Sequence, residues 1–271
     1  MIGDSAKDST ADSSTERYAR NENSHATEQF NATTDWWDPQ GSLRTLHDIN
    51  PIRVRWIAER VGGLQGKRIL DVGAGGGILA AALAQSGAQV VAIDTAREAL
   101  QTAKLHALEE GITGMEFRCC TVEELASAAA GGDKTAPSEE APQGAIEPFD
   151  AIVCMELLEH TPNPGSVVKS CARLLRAGGD ACFSTINRTY TAYACVVLGA
   201  EYVLGLLPKG THQYSSFIRP AELAQWARGI DLELSQLRGL GYNPITRNAW
   251  IKHDTAINYL AHFRRQQTLA D

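Results

Sequence analysis

The stretch that decides the fold is Arg68-Ile69-Leu70-Asp71-Val72-Gly73-Ala74-Gly75-Gly76-Gly77, RILDVGAGGG. An apolar run, Arg68–Val72, reads as a buried strand. It ends in a glycine-rich loop, and residues 78–86 then take up a helical period. Outward from this unit the alternation continues. Strand Gln89–Asp94 precedes helix Ala96–Glu110, and strand Met115–Cys119 precedes a short helix around Glu123–Ala130. Strand Phe149–Met155 is followed by helix Gly165–Arg176, a turn at Gly178-Gly179 and strand Asp180–Thr185. Strands alternating with helices predict an α/β fold, a doubly wound, mostly parallel sheet with helices on both faces. Upstream, a helix is expected from about Pro51, with Asn50 as its N-cap. Downstream of Ala221 the pattern predicts one helix and then antiparallel strands at Leu232–Leu240 and Asn248–Lys252.

The chain has 271 residues, 44% of them hydrophobic, which is enough for one good core. Its net charge is -7 and it has no long Lys/Arg block, so no nucleic-acid partner is expected. None of the six cysteines forms a C-x-x-C pair, and most lie in apolar runs, as buried thiols of a reducing compartment do. Residues 1–29 are polar, without the apolar core of a secretory signal, and read as a disordered tail. The folded domain is expected over 30–271, with a Gly/Pro/Ala/Glu-rich loop insertion at 131–148.

A glycine loop between strand and helix lets a ligand approach the backbone and meet free helix N–H groups. Counted from Gly75, the pattern G-x-G-x-x-A is a passable dinucleotide fingerprint, so the glycines by themselves leave NAD open. The flanking acids decide more. Asp71 at the strand end would repel a pyrophosphate and suits a cationic or amino-bearing ligand. Asp94, ending the second strand, can take ribose hydroxyls. A second polar cluster, Cys154-Met155-Glu156-Leu157-Leu158-Glu159-His160, follows the strand at Phe149. On a helical turn Glu156, Glu159 and His160 stand at i, i+3 and i+4 and can face one point. That set admits a solvated helix start, a general base, or a site for Mg, Mn or Zn. Its place beyond the carboxyl end of a strand favours a ligand-facing role.

LDVGAGGG together with Asp94 resembles the cofactor motifs of class I S-adenosylmethionine-dependent methyltransferases. That resemblance implies a Rossmann-like sheet with an antiparallel C-terminal strand. It also implies that Cys120-Thr121-Val122-Glu123 flanks the adenine, although Thr121 and Glu123 equally suit a helix cap. Further stretches narrow the family: WWDPQG, LHDINPIRVRWI, AKLHALEEGI, CMELLEHTPNP, FSTINRT, GAEYVLGLLPKGTH and GYNPIT. They resemble the ubiquinone-biosynthesis O-methyltransferases from about Trp36 to Asn258. The likeness lapses in the N-terminal tail and at 131–148, and Ala177 and Gly241 depart from it singly. What it implies is methyl transfer from S-adenosylmethionine to a hydroxyl of a polyprenylated catechol or hydroxyphenol, at both O-methylation steps. Cofactor contacts would fall on Arg53, Gly73, Asp94 and Met155, joined by Asp71 and Gly75 of the glycine loop.

A phenol has a pKa of roughly 10 and needs help to become a nucleophile. His160 is expected as the base, with Glu156 and Glu159 orienting it or holding Mg or another divalent cation with it. Residues 189–207, TYTAYACVVLGAEYVLGLL, are apolar and bounded by Arg188 and Lys209, yet shorter than the ~20-residue uninterrupted run of a membrane span. They are expected to form, within 186–220, an amphipathic lid that touches the membrane surface and admits the polyprenyl tail. The partners expected are the polyprenyl phenol or quinol substrate, that surface and a quinone-biosynthesis complex. The location expected is cytoplasmic, peripheral on the inner membrane. The rival readings are a small-molecule catechol or C-methyltransferase and a non-catalytic cofactor-binding scaffold.

Overall fold

The computed structural model describes residues 21–131, 146–195 and 214–267. Eight strands form one sheet in the order β3-β2-β1-β4-β5-β8-β6-β7. The parallel part comprises β1 (Arg68–Val72), β2 (Gln89–Asp94), β3 (Met115–Cys119), β4 (Phe149–Met155) and β5 (Leu175–Ile186). The antiparallel part comprises β6 (Leu232–Asn243), β7 (Asn248–Lys252) and β8 (Asn258–Arg265), with β8 between β5 and β6. The expected mixed, doubly wound sheet is therefore present. Chain order reverses between β1 and β4, which opens a crevice at their carboxyl ends.

Helices cover both faces of the sheet. Two large apolar clusters result. One packs Leu70, Ile152 and Phe183 with α5 (Val122–Ala129), α6 (Pro164–Leu174) and α7 (Pro220–Arg228). The other packs Ile69, Val90 and Val153 with α2 (Arg44–Val61) and α3 (Ile78–Gln85). Strands buried on both faces carry continuous apolar runs, and β4 is buried at six of its seven positions.

Four expectations are corrected. Helix α2 begins at Arg44, so Asn50 and Pro51 lie inside it. Asn50 caps nothing of its own helix; its buried amide donates to the Ile78 carbonyl at 2.9 Å and ties α2 to the first turn of α3. The folded part starts before residue 30: α1 (Ser24–Ala32) is a capped helix whose N-cap is Asn23. Strand β8, which no sequence signal announced, is central. Its residues Tyr259 to Phe263 are all buried. Finally, Glu156–His160 is not an α-helical turn. Glu156 is a left-handed corner (φ 54°) at the end of β4, and Leu158–His160 is a single 3-10 turn. Most of the 131–148 insertion and of the 189–207 segment lies outside the described residues. Among the described residues no helix is long and apolar enough to cross a membrane.

Candidate active site

A cavity of about 170 Å³ lies across the carboxyl ends of β1, β2 and β4. Its floor is the glycine loop, with Asp71, Gly73 and Gly75. Also lining it are Asp94, Thr95, Cys120, Thr121 and the first turn of α5 at Val122 and Glu123, together with Arg53, Met155, Glu156 and His160. The six expected cofactor contacts thus converge on one space.

The loop's glycines have a concrete reason. A Cβ on Gly75 would lie 2.5 Å from Trp36 Cη2, and one on Gly76 would collide with the same indole. Trp36, 4% exposed, packs with its indole against the loop. The loop backbone curls so that Gly75 N–H donates to Asp94 Oδ2 at 2.7 Å. The other Asp94 oxygen accepts Ala96 N–H at 2.8 Å, at the entry to α4 (Arg97–Glu109). Burial nevertheless raises the Asp94 pKa, against those backbone bonds. Each oxygen keeps a lone pair for further donors.

Asp71 is 2% exposed, and its Oδ2 has no hydrogen-bond partner. Loss of solvent, and then the nearby Asp94 charge, push its pKa up to about 7 against the opposing pull of Arg53. Arg53, 6% exposed, comes from α2 and bonds Glu156 Oε1 through Nη2 at 3.0 Å. Its Nε is buried without a partner. A buried acceptor and a buried donor of opposite charge therefore line one cavity, each with capacity left. Such atoms are costly to leave unmade and fit a ligand carrying both an ammonium and a carboxylate.

Glu156 is also held from β5 at both side chain and backbone: Ser184 Oγ donates to its carboxylate Oε1 at 2.6 Å, and its backbone N–H donates to Ser184 O at 3.1 Å. These bonds explain how a non-glycine residue holds a left-handed backbone. Glu159 does not line the cavity. It is buried, and Thr185 Oγ1 donates to its Oε2 at 2.7 Å. Burial first, and then the Glu156 charge, push its pKa up to about 8. His160 lines the cavity beside Glu156, with its ring edge-on to Phe30 at 6.0 Å. The expected three-ligand cation site is thus not assembled. The Glu156 carboxylate faces a guanidinium, Glu159 turns inward to β5, and only His160 and Glu156 reach the cavity. Among the described residues no group of three His, Cys, Asp or Glu side chains is placed to hold a metal ion.

The sequence reading missed the roof. Asn21, Glu22, Asn23, Ala26, Thr27 and Phe30 all line the cavity from the N-terminal segment. Asn21 Nδ2 donates to Glu123 Oε1 at 2.7 Å and to Asn163 O at 2.8 Å, and Asn21 Oδ1 accepts Asn163 N–H at 2.8 Å. Thr27 and Thr95 hydroxyls bond at 3.2 Å. Thr121 is both cavity lining and the N-cap of α5, closed into a capping box with Glu124. WWDPQG was visible as a motif, but nothing local to it announced Trp36 as part of the site.

A family model described as a methyltransferase domain matches residues 46–237. Among solved structures, the magnesium protoporphyrin IX methyltransferase of Synechocystis PCC 6803 with bound SAH superposes with a TM-score of 0.58 at 17% identity. That match covers 91% of this chain and 96% of the other. The N-methyltransferase NodS of Bradyrhizobium japonicum, with S-adenosyl-l-homocysteine, superposes at 0.54 and 15% identity, covering 89% and 97%. Sheet order, glycine loop and family model together define a class I S-adenosylmethionine-dependent methyltransferase. Among curated proteins, a ubiquinone biosynthesis O-methyltransferase of Alkalilimnicola ehrlichii is 47% identical over 96% of this chain and 98% of its own length. One from Bordetella avium is 48% identical over 85% and 88%. The chain belongs to the ubiquinone biosynthesis O-methyltransferase family.

Proposed function

We propose that the chain moves the methyl group of S-adenosylmethionine to a hydroxyl of a polyprenylated catechol or hydroxyphenol, and serves both O-methylation steps of ubiquinone biosynthesis. The observation that carries this reading is the pairing, in one cavity, of a buried unpartnered Asp71 oxygen with a buried unpartnered Arg53 nitrogen. The methionine part of the cofactor carries the matching ammonium and carboxylate. Asp71 receives the ammonium and Arg53 the carboxylate, while Gly73 and Gly75 let the chain pass close beneath. Asp94 accepts ribose hydroxyls, and Met155 offers an apolar contact beside the adenosine.

When bound, the cofactor supplies an electrophilic methyl group, and the chain supplies position and proton removal. His160 takes the phenolic proton at a ring nitrogen. Glu156, fixed by Arg53 and Ser184, sets the wall beside it. Glu159 backs that wall from Thr185. No step is routed through a divalent cation: Glu156 Oε1 is engaged by Arg53 Nη2 and Ser184 Oγ, and Glu159 turns away from the cavity to Thr185. The remaining parts of the proposal are a lipid-facing segment at 189–207, peripheral contact with the inner membrane from the cytoplasmic side, and assembly with other quinone-forming enzymes. The apolar composition of that segment supports the lipid contact.

The test is methyl transfer to a short-tailed demethylubiquinol. His160→Ala is expected to lower turnover by ~10²–10⁴-fold with S-adenosylhomocysteine affinity nearly unchanged. Turnover at the wild-type level would remove His160 as base. For the lipid segment, deleting 189–207 is expected to abolish flotation with anionic liposomes; unchanged flotation would place membrane contact elsewhere.

A further inference from the structure

The turn between β6 and β7 presents Arg247, a bulky residue held with a left-handed backbone at φ 57°. Such a conformation persists only where surrounding contacts enforce it. Here the guanidinium is spread over two other segments. On α2 it forks onto Asp48, with Nη2 at 2.8 Å and Nε at 3.1 Å from Oδ1. On the loop before α2, Nη1 donates to Gln40 Oε1 and Nη2 to Pro39 O, both at 2.9 Å. Tyr242 from β6 adds its hydroxyl to Asp48 Oδ2 at 2.6 Å. Arg247 hydrogen bonds, ahead of the other causes, hold the Asp48 pKa below its ordinary value.

The loop so gripped is internally closed. Asp35 accepts both the N–H and the hydroxyl of Ser42, and Asp38 Oδ1 accepts Gln40 N–H. Gly41 N–H donates to Asp38 O at 2.9 Å. A loop closed on itself moves as a unit. Its outer end is Pro39–Gln40, in the grip of Arg247. Its inner end is Trp36, on the glycine loop. Two other anchors share the load: His47 Nε2 to Trp36 O at 2.8 Å, and Trp37 stacked on His106 at 3.4 Å. An exposed ion pair contributes little to a structure. This one differs, because its acid is largely buried and its fork joins three chain segments.

We propose that Arg247 is a positioning residue for the cofactor site: by bracketing the 35–42 loop against α2, it holds the Trp36 indole on Gly75 and Gly76 and so sets the form of the glycine loop that receives S-adenosylmethionine. Arg247 itself does not line the cavity. The inference rests on reading that cavity as the cofactor site.

Calorimetry with S-adenosylhomocysteine on full-length protein, beside methyl-transfer kinetics and thermal unfolding, tests it. Arg247→Ala is expected to weaken binding about tenfold and raise KM for S-adenosylmethionine in step, with kcat at saturating cofactor within about twofold of wild type. Arg247→Lys keeps a charge for Asp48 but loses the fork to Pro39 and Gln40, and should fall between. In a double-mutant cycle with Trp36→Phe, the second substitution should cost much less than it does alone. Unchanged affinity in a folded Arg247→Ala, or strictly additive losses, overturns the inference. Should Arg247→Ala fail to fold, Arg247→Lys and Asp48→Asn are held to the same criteria. A wild-type protein that does not bind S-adenosylhomocysteine overturns the cofactor reading, and this inference with it.

Discussion

Asp71 shows how a single carboxylate can report on its ligand. Its pKa is pushed up to about 7, by loss of solvent and then by Asp94. An ammonium placed against it would restore the charged form, so binding should release a proton near neutrality. Below about pH 7, S-adenosylhomocysteine affinity is expected to rise with pH, by up to ~10-fold per unit, and to level off above it. Calorimetry in two buffers of different ionisation heat measures that proton directly. Asp71→Asn should bind more weakly and without this slope; a slope that survives the substitution assigns the proton elsewhere. Asp71 was legible from sequence because strand, acid and glycines are contiguous. The partners of Glu156 were not: Arg53 and Ser184 reach it from 103 and 28 residues away. The same distance hid the corner at Glu156, and with it the failure of the Glu156, Glu159, His160 triplet to share one face.

Among the elements, α1 changes most on going from sequence to structure. It is polar, buries no residue completely, and by its own pattern is hard to distinguish from a tail. It is a helix because Asn23 caps it, accepting His25 and Ala26 N–H groups. It stays in place because Asn21 reaches Glu123 in the first turn of α5 and Asn163 at the N-cap of α6, while Phe30 packs among Trp36 and its neighbours. Few buried contacts hold it, so it should open more easily than the sheet. Removal of residues 1–32 is expected to leave cooperative unfolding of the sheet intact and to weaken S-adenosylhomocysteine about tenfold. Asn21→Ala should give a smaller loss in the same direction. If the truncated chain binds as tightly as the whole one, α1 is only a neighbour of the site. Strand β8 was hidden for a different reason. Asn258, His262 and Arg264 interrupt its apolar run, and His262 is accommodated only because Asp180 of β5 lies 2.8 Å away.

For the whole molecule, two buried acids set the pH dependence of stability. Asp71 rises from 3.8 to about 7 and Glu159 from 4.5 to about 8. Folded, both keep protons that the unfolded chain releases, so their stabilising effect is complete below about pH 4 and is lost as pH rises through about 8. Asp48, Asp35 and Asp150 are shifted the other way, by their hydrogen bonds to Arg247, to Ser42, and to Arg68 N–H and Arg176. Their contribution is lost as pH falls below the ordinary carboxylate range. Thermal unfolding is therefore expected to show maximal stability at weakly acidic pH and a decline toward pH 9. Glu159→Gln should raise Tm at pH 9 and change it little at pH 5; an equal shift at both would mean that Glu159 titrates normally. The sequence by itself determined the parallel β1–α3–β2–α4–β3 half, the glycine loop with its two acids, and the family. Those features rest on local periodicity and on residues adjacent in the chain. Tertiary structure alone decided what closes over the cavity, where Glu156, Glu159 and His160 face, and what holds Trp36 on the glycines. Each of those depends on hydrogen bonds and packing between segments far apart in the chain, and no local pattern encodes such pairings.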